Sequence, residues 1–224
     1  MTGESIVPFG VVAPVSGTLP YTQSTGLLEG SSPQIEAFPS FAKWWQEAEA
    51  SWEANRGAKS KLSLLGRLDF HHELQAQFPI APVRVVYTAS GNTLAAAVAT
   101  DPTAVIEHKL YWMASATLDE ARYLCGVLNS PVFTAAVRPY QSTGAFGPRD
   151  FDKYVWLPPT PLFEPGCALH EEIVELAAEA EPIAMAAARD QSGFQAARGA
   201  VRSALAAAGI AHRLDAAVSK LLRL

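Results

Sequence analysis

The sequence predicts an α+β fold: a small mixed or antiparallel sheet with packed helices and a helical C-terminal appendage. Three observations carry this. Between residues 83 and 113, apolar and β-branched runs are broken by turn residues, as in short strands. Thr117-Leu-Asp-Glu120 has the spacing of a capping box ahead of an apolar run. From residue 168 onward, apolar residues recur at three- and four-residue intervals, the helical period.

Taken in order, residues 6–15 read as a strand pair or a bulged strand. Residues 16–40 are dense in Gly, Ser, Thr and Pro and read as a long loop. Pro39-Ser-Phe-Ala-Lys-Trp-Trp45 opens a helix with Ser40 as its candidate cap. Phe41, Trp44, Trp45, Ala48 and Trp52 form its apolar stripe. A second helix is expected over 62–76, stopped by Pro79. Residues 83–98 form a hairpin around Gly91-Asn92. A third strand spans 104–113, with Ile106, His108, Leu110 and Trp112 on one face. Thr117 starts a helix that ends near Asn129. A further apolar segment, 132–137, leads into a polar loop, and residues 154–157 close the strand section. Helices follow over 168–189, 194–208 and 211–224, with Pro182 a candidate kink and Gly209 a break. The expected division is an α+β domain over 1–165 and the helical appendage over 166–224.

Of the 224 residues, 49% are hydrophobic and 17% charged, which describes a globular chain. The apolar runs are too short for a membrane-spanning helix. No basic start precedes an apolar core, so no secretory leader is expected, and the location expected is cytoplasmic. Cys125 and Cys167 are the only cysteines and read as reduced thiols. The net charge of −5 weighs against a polyanion partner, because phosphate affinity comes mainly from Lys and Arg. The distribution is uneven. Residues 1–42 hold three acids and no base, 43–153 hold eleven of each, and 154–224 hold eight acids and six bases. One face of the middle section is enough to meet a phosphate backbone.

The polar loop brings together Arg138, Tyr140, Gln141, Ser142, Thr143, Arg149 and Lys153. Arg pairs with guanine edges, Gln with adenine edges, and small hydroxyls reach phosphates. Gly144 and Gly147 allow a close backbone approach. A plain solvated loop has the same composition, and Arg149-Asp150 also suits an ion pair and a turn cap. Arg67 and Gln77 flank His71, His72 and Glu73 on a polar helix that reads as facing DNA or a partner. Adjacent histidines point to different helix faces, and the HExxH spacing is missing, so no metal ligands are assigned. The tryptophans and Tyr111 read as core, and His170 as a surface residue. A glycine-rich cofactor loop, a Walker loop and a catalytic Ser-His-Asp or Cys-His pattern are all missing from the sequence.

Glu120-Ala-Arg-Tyr-Leu-Cys-Gly-Val-Leu-Asn-Ser-Pro131 leads into Pro139-Tyr-Gln-Ser-Thr-Gly-Ala-Phe-Gly-Pro-Arg-Asp150. That loop leads into Phe151-Asp-Lys-Tyr-Val-Trp-Leu-Pro-Pro-Thr-Pro161. This order resembles the C-terminal target-recognition region of large adenine-N6 DNA methyltransferases, including fused restriction–modification enzymes. More loosely it is similar to one recognition half of a type I restriction specificity subunit. The resemblance covers roughly residues 60–224 and is most specific over 117–161.

It implies a non-catalytic module that holds double-stranded DNA near the 138–153 loop. A methyltransferase catalytic domain, in cis or in trans, would flip and methylate an adenine. The resemblance also implies that no cofactor binds here, S-adenosylmethionine being expected on that catalytic domain. The family's catalytic tetrapeptide has a polar residue, two prolines and an aromatic. The one Pro-Pro pair here is Leu157-Pro-Pro-Thr160, which lacks both flanking features. The chain is therefore expected to be a C-terminal fragment or a separate subunit. Two rivals predict other observables. A protein-docking module would expose an apolar face on its C-terminal helices, and a small hydrolase or transferase would have a deep pocket lined by titratable groups.

Overall fold

A computed structural model describes residues 1–12, 14–144, 147–148 and 150–223, with 147, 148, 152 and 153 described by backbone alone. The chain divides into two compact units, one of residues 1–15 with 81–224 and one of residues 16–80.

The larger unit is built on a three-stranded antiparallel sheet. Its centre is β5 (Arg84–Thr88), flanked by β6 (Ala96–Ala99) and β7 (Leu110–Ala114). Val86 pairs with Ala97 on one side and Trp112 on the other. Two earlier strands, β1 (Ile6–Val7) and β2 (Gly10–Val11), form a separate hairpin. Strand alternation sends Val85 and Tyr87 into the main core, while Val86, Ala97 and Ala99 join Ile6, Ile106 and Leu110 on the other face. The strand expected over 104–113 begins only at Leu110. Asp101 accepts hydrogen bonds from the Thr103 amide and hydroxyl at 2.8 and 2.7 Å, which holds the preceding stretch as a turn.

Helices cover the first face. They are α4 (Leu118–Asn129), α5 (Pro131–Val137), α6 (Ala168–Ala188), α7 (Phe194–Ala207) and α8 (Ile210–Leu222). α4 starts where its capping box predicts: the Thr117 hydroxyl accepts from the Glu120 amide at 3.1 Å, and Glu120 accepts from the Ala116 amide at 2.6 Å. α6 runs through Pro182. The apolar faces of α6, α7 and α8 supply Ile173, Leu176, Val201, Leu214 and Val218 to the same core as Val85 and Tyr87. The fold is α+β with a helical C-terminal section. Its helices belong to the compact unit that holds the sheet, and the division between units does not fall at residue 165. Residues 154–157, expected to close the strand section, lie instead in and just after a 3-10 turn at Asp152–Trp156.

In the smaller unit, the expected 16–40 loop contains a hairpin of β3 (Tyr21–Thr22) with β4 (Gly26–Leu27), then α1 (Pro33–Glu36). α2 (Pro39–Asn55) starts with Pro39 in its first turn, and the residue before it is Phe38, so Ser40 is inside the helix. Trp45 and Ala42 are buried with Leu28 and Ile35, whereas Trp44 is 52% exposed. The helix expected over 62–76 is only α3 (Leu64–Leu68) followed by two 3-10 turns. His71 and His72 have φ of 55° and 62°, a left-handed conformation that ends an α-helix. Asp69 organises this turn. Its carboxylate accepts from the Leu74 and Gln75 amides at 3.1 and 2.9 Å and from the Gln75 side chain at 2.7 Å.

Candidate nucleic-acid interface

The polar loop is held to the β5–β6 turn at both ends. Asn129, the last residue of α4, accepts from the Ala96 amide and donates to the Ala96 carbonyl, both at 2.9 Å. The Ser130 hydroxyl donates to Asp215 on α8. Pro131 then fills the first position of α5, where its missing N–H costs nothing. After α5, a 3-10 turn at Arg138–Tyr140 begins the loop, and Arg138 donates from Nη2 to the Asn92 carbonyl at 2.6 Å. β8 (Thr143–Gly144) and β9 (Gly147–Pro148) pair as a small hairpin. At the far end, Asp150 bridges to Ser90, and the Phe151 amide donates to the Ala89 carbonyl at 2.8 Å. Phe151 is fully buried, which fixes this end to the core.

Four of the residues expected in a site are exposed together on this loop: Arg138, Tyr140, Ser142 and Thr143. Their donors and acceptors suit phosphate oxygens and base edges. Gln141 differs from these four: its side chain is buried, and neither amide atom has a partner among the described residues. Arg149 and the Lys153 side chain lie outside the described residues. Arg67 belongs to the other unit, where its exposed guanidinium sits 5.8 Å from the Phe70 ring centroid. Beyond the loop, Trp156 meets Tyr87 edge-on at 6.2 Å, and Tyr87 stacks on Tyr111 at 5.6 Å. Trp156 and Tyr111 are both exposed in part, so this set is not all core.

Sequence reasoning missed a cleft of about 730 Å³ lined in part by the same turn. Ser90, Asn92, Lys109, Gln195, Arg198 and Arg202 are among its lining residues. These come from three distant stretches of chain, and the only local signal is Arg198 and Arg202 one helical turn apart. Burial, with the charge of Arg202 next, brings the Arg198 guanidinium down to about 10. His170, expected at the surface, is buried against Tyr123 and Phe163, and its Nδ1 accepts from the Glu164 amide at 3.1 Å.

Among the described residues no cluster of His, Cys, Asp and Glu could hold a metal ion, and no helix is long and apolar enough to cross a membrane. No protein-family model and no curated protein matches the chain.

Proposed function

We propose that this chain is a DNA target-recognition module without catalysis of its own. It would hold a short duplex sequence in the cytoplasm for an adenine-N6 methyltransferase domain, in cis or in trans, to which S-adenosylmethionine binds. The observation that carries this reading is the loop anchored at Arg138–Asn92 and at Asp150–Ser90. Tyr140, Ser142 and Thr143 stand exposed between the anchors. Recognition needs variable side chains on a fixed scaffold, since a displacement of an ångström breaks a bidentate base contact. The order of motifs from Thr117 to Pro161 supports the same reading.

The test is selection of bound duplexes from a randomised pool at low and moderate salt. Enrichment of a short motif is expected. Tyr140→Ala and Thr143→Ala should then each cost about 1–3 kcal/mol against the selected site where the side chain reads a base, with little change on an unrelated duplex. Absence of binding at low salt would overturn the proposal and favour a protein-docking module.

A further inference from the structure

We propose that the cleft beside the recognition loop seats a backbone phosphate of bound DNA, held by Arg198, Arg202 and Lys109. The inference rests on the DNA-recognition reading and adds to it a second, sequence-independent contact.

Arg198 and Arg202 stand one turn apart on α7 and both line the cleft. Arg198 donates from Nε to the Ile6 carbonyl at 3.0 Å and from Nη2 to the Gly3 carbonyl at 2.6 Å. Arg202 donates from Nη2 to the Leu94 carbonyl at 3.3 Å. Neutral carbonyls fix the direction of a guanidinium and leave its charge in place. Among the described residues neither guanidinium has a carboxylate at ion-pair distance. Two partly desolvated like charges raise each other's energy, and a bound anion removes that cost.

The remaining features point the same way. Lys109 is exposed on the same cleft. The first turn of α7, after Gly193 and without a side-chain cap, also opens there and adds the positive end of a helix dipole. Two carboxylates share the lining, Glu4 and Glu107, and Glu107 Oε1 lies 3.0 Å from His108 Nδ1. Glu4 is exposed and draws on Arg198 from a distance. The cleft exceeds what one phosphate needs, and one of its walls is the Ser90–Thr93 stretch to which the recognition loop is tied. A polymer that lies on the loop can therefore place a phosphodiester in the cleft.

The experiment is an NMR titration of the full chain that follows the Arg198 and Arg202 Nε–H signals and the loop amides. The titrants are a short duplex and, separately, inorganic phosphate. The duplex is expected to shift both sets of signals, with phosphate weaker at the cleft. In parallel, Lys109→Gln with Arg202→Gln should lower duplex affinity about tenfold at moderate salt and flatten the salt slope by roughly 1–2, leaving the selected motif unchanged.

Loop shifts without cleft shifts, with unchanged affinity in the folded double variant, would overturn the cleft and leave the recognition reading standing. Cleft shifts with inorganic phosphate and none with duplex would mean a small phosphate-bearing ligand and overturn the DNA assignment. No shift with either titrant would overturn both.

Discussion

Gly126 lies where three helices come together. A Cβ there would sit 2.7 Å from Ile173 Cγ2, 3.4 Å from the Ile173 carbonyl oxygen and 3.5 Å from Leu214 Cδ1. Alanine in a helix interior normally gains up to about 1 kcal/mol over glycine, but overpacking costs about 1–3 kcal/mol. Gly126→Ala should therefore lower the urea midpoint, and because alanine at 173 removes the Cγ2 that clashes, Ile173→Ala should cost less in the Gly126→Ala background than alone. The cysteines separate just as clearly. Cys125 is buried and donates to the Ala96 carbonyl at 3.3 Å, and burial pushes its thiol up. Cys167 is half-buried. A thiol reagent should label Cys167 in the native protein and reach Cys125 only on unfolding, because the thiolate is the reactive form. Fast labelling of both would mean that the β6–α4 contact opens freely.

At the scale of elements, the turn around Asp69 has a pH dependence with a definite sign. Burial alone would raise this carboxyl. The Gln75 backbone and side-chain hydrogen bonds, then His72, outweigh burial and hold it below the ordinary value. A folded-state pKa below the unfolded one stabilises above the unfolded value, and that contribution disappears as pH falls through the folded value. Protection of the Leu74 and Gln75 amides from hydrogen exchange should therefore decline below about pH 4. Asp69→Ala should remove it at every pH, at a cost of about 1–3 kcal/mol for the unpaired amides.

The same scale shows what could be read in advance. Thr117 marked the start of α4 because capping is a local interaction, and Ile173, Leu176, Ala177 and Ala180 fixed α6 because they form one buried face. Residues 62–76 were misjudged because a helical apolar pattern gives no sign of the left-handed His71 and His72 or of Asp69 gathering amides around itself. The burial of Gln141 is not legible in the sequence, because composition does not say which side of a loop faces inward. Arg198 and Arg202 went unnoticed because their partners Gly3, Ile6 and Leu94 are far away along the chain.

At the scale of the molecule, the unit of residues 1–15 and 81–224 has its own large core. Replacing residues 16–80 by a flexible Gly/Ser linker should leave that unit with cooperative unfolding and a native-like near-ultraviolet spectrum. Loss of cooperativity would mean that the smaller unit is required for the larger one to fold. The net charge of −5 sharpens the DNA reading as well. On the proposed reading, binding would come from a local basic surface and should fall steeply with salt.

The bonds from Arg198 to Gly3 and Ile6 span 195 and 192 residues, and they set an order of events on the ribosome. At roughly 5–20 residues per second, the β1–β2 hairpin emerges about 10–40 s before α7 exists to receive it. Within that interval Ile6 can already pack with Val86, Ala97, Ile106 and Leu110, whereas Val7 and Phe9 belong to the core that the C-terminal helices complete. Val7 and Phe9, made early within this unit, are therefore among its last residues to be fully covered. A nascent chain stalled short of residue 198 should therefore present Val7 and Phe9 to chaperones.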